Sequence, residues 1–229
     1  MNFLGIVNRL RRECGVTSAD LATLAGTLTR ENTLFKEWAN DAWLEVQIAH
    51  PDWKWMRSSF TYAAASGAQQ LGTMGLTDVS DWKRDSFRSY STATGTNDEQ
   101  ILPYMEFDTW RNVYAFGSMR SATGRPAVLT VNPDRTVACG PVLVDAYTIA
   151  GEYYHVPTDL LLDTDDPSAT GNGLPDRYHM LIVYMAMRKY AAYYVAPEVE
   201  SRGATGERKF MRRLEFDYLP TLISGPPLA

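Results

Sequence analysis

Between Tyr178 and Tyr194 the chain offers a helix almost no polar side. Tyr178, Met180, Leu181, Ile182, Val183, Tyr184, Met185, Met187, Tyr190, Tyr193 and Tyr194 are spread over nearly all of its faces. A helix apolar all round must be covered all round. Its densest run, 180–187, falls far short of the roughly 20 apolar residues that cross a bilayer. The rest of the chain therefore has to be built around this segment, and in a domain of this size one flank is expected to meet another subunit. Tyr178, Met180, Tyr184, Met187, Tyr190 and Tyr194 are the candidate interface residues.

The other elements follow from periodicity. Phe3, Ile6, Val7 and Leu10 form a single helical stripe that Gly15 ends. A second helix, capped by Thr29 or Asn32, carries Phe35, Trp38, Ala39, Ala42, Trp43, Val46 and Ala49 and stops before Pro51. From Trp53 the composition turns to Thr, Tyr, Ser and Gly, with candidate strands at 58–64, 86–91, 100–104, 127–131, 137–139 and 147–154. Asn132-Pro133-Asp134-Arg135 predicts the turn of a hairpin. In the last strand Tyr147, Ile149, Gly151 and Tyr153 share one face. Asp108 is placed to cap a short helix through Phe116. Pro175 suits the first position of the apolar helix, and a final helix over 198–218, weakened by Gly203 and Gly206, stops at Pro220.

The predicted fold is α+β: a four-helix domain made by both chain ends, with an antiparallel β-rich, sandwich- or barrel-like domain inserted and an extended C-terminal arm. The boundaries fall at 1–52 and 158–220 for the helical halves, 53–157 for the insertion and 221–229 for the arm. Trp53 and Trp55, either side of Lys54, are expected to pack the domain junction; their other reading is a stacking platform for sugars or bases.

Chemistry is sparsely written. The chain has 229 residues, three His and two Cys, against 27 carboxylates and 22 Lys and Arg, a formal charge of −5. His50, His155 and His179 lack metal-ligand spacing, and Cys14 and Cys139 read as small buried hydrophobes of a reducing compartment. Asp163, Asp165 and Asp166 lack the glycine and glutamate of a calcium loop. Asp78, Asp81 and Asp85 could pair for glycoside hydrolysis only if folding brought two carboxyls together. No catalytic, metal or cofactor site is expected. The basic residues Arg208, Lys209, Arg212 and Arg213 alternate with Glu207, Glu215 and Asp217 and read as a self-neutralised helix face rather than a nucleic-acid footprint. No export signal or membrane span is expected.

Several strings, in this order, resemble the head-to-tail adaptor, or connector, proteins of tailed bacteriophages, especially the tail tubular protein A type. They are Trp38-Ala39-Asn40-Asp41-Ala42-Trp43-Leu44-Glu45-Val46-Gln47, His50-Pro51-Asp52-Trp53-Lys54-Trp55-Met56, Trp82-Lys83-Arg84-Asp85-Ser86-Phe87-Arg88, Leu102-Pro103-Tyr104, Gly151-Glu152-Tyr153-Tyr154 and Arg177-Tyr178-His179-Met180. The resemblance implies a virion neck protein without enzymatic activity, assembled in the host bacterial cytoplasm. Its partners would be other copies in a homo-oligomeric ring, usually of twelve, then the portal protein and tail or nozzle proteins. DNA would pass through without sequence-specific binding. Leu222, Ile223, Pro226, Pro227 and Leu228 of the arm are the expected portal-docking residues. The competing reading is a carbohydrate- or receptor-binding β-module of a phage tail, with Trp53, Trp55, Trp82 and Trp110 as platforms.

Overall fold

The computed structural model describes residues 1–169 and 173–220, so the arm and its five docking candidates lie outside the described residues. The helices are α1 (Phe3–Glu13), α2 (Arg30–Ile48), α3 (Phe107–Trp110), α4 (His179–Tyr194) and α5 (Pro197–Tyr218). The strands are β1 (Arg57–Ala64), β2 (Gln70–Gly72), β3 (Val79–Trp82), β4 (Arg88–Ser91), β5 (Gln100–Ile101), β6 (Thr123–Gly124), β7 (Val128–Val131), β8 (Val137–Gly140), β9 (Val142–Leu143) and β10 (Tyr147–His155). The fold is α+β, helical at both ends and β-rich between. It divides into a helical unit, Met1–Met56 with Pro157–Ala229, and a β-rich unit, Arg57–Val156.

In the helical unit α4 is the central member, packed against α1, α2 and α5. Asn2 caps α1 by accepting from the Gly5 amide at 3.0 Å, and Thr29, of the two candidates, caps α2 through the Asn32 amide at 3.3 Å. Trp53 and Trp55 belong to this unit, not to the insertion that was expected to begin at residue 53. The Trp53 indole donates to the Val46 carbonyl at 2.8 Å, and Trp43, Trp55 and Trp53 follow one another at ring-centroid spacings of 5.8 and 5.9 Å. Three large rings packed in one core hold the chain to α2 until Met56. Pro175 precedes α4 by a 3₁₀ turn, Asp176–Tyr178, instead of opening it.

The two glycines of α5 are contact points. A Cβ on Gly203 would stand 3.0 Å from the Tyr184 carbonyl oxygen, and one on Gly206 would stand 2.5 Å from the Tyr184 ring. The missing side chains let α5 close on α4, at the expense of helix propensity.

In the β-rich unit β10 is central: β1 pairs with it from Arg57↔Tyr154 to Ala64↔Tyr147, β4 and β3 pair with its two halves, and β5 flanks β4. Its residues alternate buried and half-buried, with Tyr147, Ile149, Gly151 and Tyr153 inward. A second sheet, β2-β8-β7, shares a core with the first through Leu129, Val137 and Cys139. The β7–β8 hairpin closes through Asn132 to Thr136, where Asp134 accepts from the Thr136 amide at 3.0 Å. Short β6 and β9 pair in parallel, a departure from an all-antiparallel insertion. The strands expected at 86–91 and 100–104 shorten, because Ser86 turns back to the Lys83 carbonyl and Pro103 has no amide to give. Asp108 does not cap α3; Glu106 holds the N-cap position, the helix starts at Phe107, and Asp108, inside its first turn, pairs with Arg111 at 3.2 Å.

Gly206→Ala gains about 1 kcal/mol of helix propensity but places a methyl inside the Tyr184 contact, an overpacking that costs about 1–3 kcal/mol. The variant is expected to have a lower denaturant midpoint than wild type, whereas Ser201→Ala on the exposed face of the same helix leaves the midpoint unchanged or raises it.

Candidate interaction surface

The apolar helix α4 does not present itself to a second subunit as a whole. Met187 is fully buried against α5, and Tyr178 is only 2% exposed, its hydroxyl donating to Asp217 at 2.5 Å. Both leave the expected interface because α1, α2 and α5 of the same unit cover the faces they occupy. Tyr184 lies half-buried under Gly206 and Phe210, Met180 is half-buried, and Tyr190 stacks on Phe35 at 5.5 Å and 15°. Of the six candidates, Tyr194 alone is well exposed, at 44%. It closes an aromatic corner with Trp38 and Tyr193, capped by Val195 in the left-handed conformation, φ 54°.

The remaining outward side of α4 floors a groove of about 540 Å³, lined by Glu45 of α2, Met185, Arg188 and Lys189 of α4, and Glu200 and Glu207 of α5. Its charges are paired across helices. Arg188 donates to Glu200 at 3.0 Å and Glu207 at 2.8 Å, and Lys189 to Glu45 at 2.6 Å. Along α5 the expected i,i+4 neutralisation holds for Arg213 with Asp217, at 3.3 Å, while Glu207 and Glu215 turn to partners outside the helix. Glu207 goes to α4, Glu215 meets His50 at 3.1 Å, and Asp217 holds Tyr178, Arg177 and Arg213. Arg208, Lys209 and Arg212 are left exposed, with no ion pair or hydrogen bond among the described residues.

None of the four platform tryptophans has a ring face to offer. Trp53 and Trp55 are in the helical core, and Trp82 and Trp110 are buried in the β-rich unit, Trp82 donating to the Arg135 carbonyl at 2.7 Å. The three aspartates weighed for hydrolysis serve separate partners: Asp78 His155, Asp81 the Trp82 amide, and Asp85 Lys83. The hydrogen bond from Lys83 holds the Asp85 carboxyl below its ordinary pKa. Asp163, Asp165 and Asp166 likewise cap separate backbone groups at Leu24, Leu161 and Ser168.

Two clusters were not legible in the sequence. Ser58 Oγ lies 2.6 Å from Nε2 of His155, whose Nδ1 lies 2.5 Å from Asp78 Oδ2. The order of groups is that of a hydrolytic relay. Here the imidazole is buried against the Tyr153 ring, at 4.8 Å, and the chain of bonds fastens edge strand β1 to β10. In the helical unit Asp166, Asp176 and His179 gather ligand atoms within 4.8 Å of one another. Two carboxylates and an imidazole can hold a divalent ion. In the structure the Met1 ammonium supplies the positive charge, 3.6 and 3.4 Å from the carboxylates and 2.6 Å from His179 Nδ1, while His179 Nε2 bonds the Leu174 carbonyl. Burial pushes both thiols, Cys14 and Cys139, up to about 12, which keeps them protonated and unreactive.

Comparison with known proteins gives one family: a family model described as SU10 adaptor protein matches residues 1–218, and thus spans both units. No curated protein matches the chain.

Burial also pushes the His179 imidazole below its ordinary pKa, so the folded unit favours the neutral ring. The unfolded chain takes up a proton near pH 6.5 that the folded chain resists, so stability is complete above that pH and falls as the pH drops towards the depressed folded value. Melting temperatures at pH 7.5, 6.5 and 5.5 are expected to decline through this window, and His179→Gln should flatten the decline. A slope equal to that of wild type would assign the pH response to other groups.

Proposed function

The chain belongs to the SU10 adaptor protein family, a family of phage head-to-tail adaptors, and from that premise we propose that it forms a ring of twelve copies between portal and tail. It is a structural component of the phage virion and interacts with portal and tail proteins. In the proposed ring it closes the portal vertex, offers the surface on which the tail attaches, and leaves a channel through which DNA passes during ejection. Assembly takes place in the host cytoplasm before the particle is released, and the role involves no enzymatic step.

The observation that carries this reading is the extent of the family match. It covers residues 1–218, and so takes in the helices of the helical unit and the whole of the β-rich unit. The physical features agree with it. Among the described residues no helix is long and apolar enough to cross a membrane. A net charge of −5 disfavours a tight grip on duplex DNA, whose binding proteins gain affinity by releasing counterions to clustered Lys and Arg. Aromatic and carboxylate side chains that could have served chemistry are occupied in packing and in capping.

Native mass spectrometry of the protein mixed with the portal protein of its phage is expected to give a complex holding twelve copies. A chain that stays monomeric in the presence of the portal would overturn the proposal. Deleting residues 221–229 is expected to weaken portal docking at least tenfold with no change in melting temperature; undiminished docking would remove the arm from the interface.

A further inference from the structure

Two stripes of unlike charge run along different helices of the helical unit. On α2, Glu37, Asp41 and Glu45 follow one another at i, i+4 and i+8 and are all exposed. The cation beside them in sequence, Lys36, turns inward to the Leu24 carbonyl, and Lys189 offsets only Glu45, at 2.6 Å, and Asp41, at 3.9 Å. Glu37 has no counter-ion among the described residues. On α5, Arg208, Lys209 and Arg212 form the opposite stripe, since Glu207 pairs with Arg188 of α4, Glu215 with His50, and Asp217 with Tyr178, Arg177 and Arg213. Each stripe ends, at the C-terminal end of its helix, in an exposed apolar side chain: Ile48 at 65% and Phe216 at 80%.

We propose that neighbouring copies in the ring meet through these stripes, α2 of one copy against α5 of the next. The inference rests on the ring reading above and names its contact surface. A ring needs a heterologous interface, two different patches that fit each other. The two stripes meet that need, because α4 lies between α2 and α5 and floors the groove that separates them. Like would repel like in a two-fold contact, α2 against α2 or α5 against α5, so the same charges select against a closed dimer.

The levels also agree. His50, just past the end of α2, bonds Glu215 in the last turn of α5, so the C-terminal ends of the two helices stand at one height in the unit. Rotation about a ring axis running along the helices preserves height, and therefore brings Ile48 to the level of Phe216. Asp41 lies about 10 Å before Ile48, and Arg208 and Lys209 about 10–12 Å before Phe216; Glu45 and Arg212 lie about 4–6 Å before the same ends. Acid meets base along the stripes and apolar meets apolar at their ends.

Charge reversal tests this on the full-length chain. The pairs Glu37→Lys with Asp41→Lys, and Arg208→Glu with Arg212→Glu, change exposed side chains whose only ion pair among the described residues is that of Asp41 with Lys189 at 3.9 Å, so circular dichroism should match wild type and the melting temperature should fall by no more than a few degrees. Each pair alone is expected to weaken ring formation on the portal by tenfold or more, more so at low salt, and the four-fold variant, with both stripes reversed, should recover it. Native mass spectrometry reads the copy number. Normal rings from both two-fold variants, or no recovery in the four-fold variant, would overturn the interface while leaving the ring itself intact. Rings that form normally with Arg208→Glu and Arg212→Glu but lose retention of duplex DNA would assign the basic stripe to DNA instead. A wild-type chain that never assembles on the portal would overturn the ring and this interface together.

Discussion

The helical unit depends on how closely α5 can approach α4. Gly203 and Gly206 place bare backbone against Tyr184, where any Cβ would overlap its carbonyl or its ring. That approach seals Met187 and completes the cover that α1 and α2 begin, so a helix with almost no polar face is satisfied within one chain. The consequence reaches the surface. With most of α4 covered, it leaves at the surface only the aromatic corner at Tyr193 and Tyr194 and the floor of the groove, and most of the unit's outer face belongs to the helices around it.

Glycine seats beneath aromatic rings recur in the β-rich unit. Gly151 on the central strand stands between Phe60 and Phe87, 3.1 Å from each by its absent Cβ, and Gly140 lies under the Tyr114 ring. The two cores hold many of the chain's 27 aromatic rings, which are large and prefer edge or offset contacts. Removing a side chain opposite a ring makes the room, while the alternation of β10 and the Ser58–His155–Asp78 chain hold the strands in register around it.

Periodic features were legible in the sequence: the stripe of α1, the broad face of α2, the inward set of β10 and the turn at Asn132-Pro133-Asp134-Arg135. Each is a local signal that burial reinforces. Strands β2, β3, β6 and β9 were not, because two to four residues hold too few alternations to show a period. The glycines of α5 read as weakness, since propensity registers the loss within a helix and not the neighbour that the loss admits. Trp53 and Trp55 fell on the wrong side of the boundary because composition changes at Trp53 while packing changes at Met56.

Charge shows the same limit more sharply. A sum of −5 treats each carboxylate as surface, yet Glu207, Glu215, Asp217, Asp163 and Asp165 are spent on arginine, histidine, tyrosine and backbone partners within their own unit. Removing them from the surface leaves a basic stripe on α5 in an acidic protein. The i,i+4 pattern along that helix suggests self-neutralisation, and Arg213 with Asp217 bears it out, but Arg188 on α4, one helix away, divides its guanidinium between Glu200 at 3.0 Å and Glu207 at 2.8 Å and so draws both carboxylates off the α5 face. Tertiary structure thus decides which formal charges remain available to a second molecule, and the sign of a binding face can be opposite to the sign of the chain.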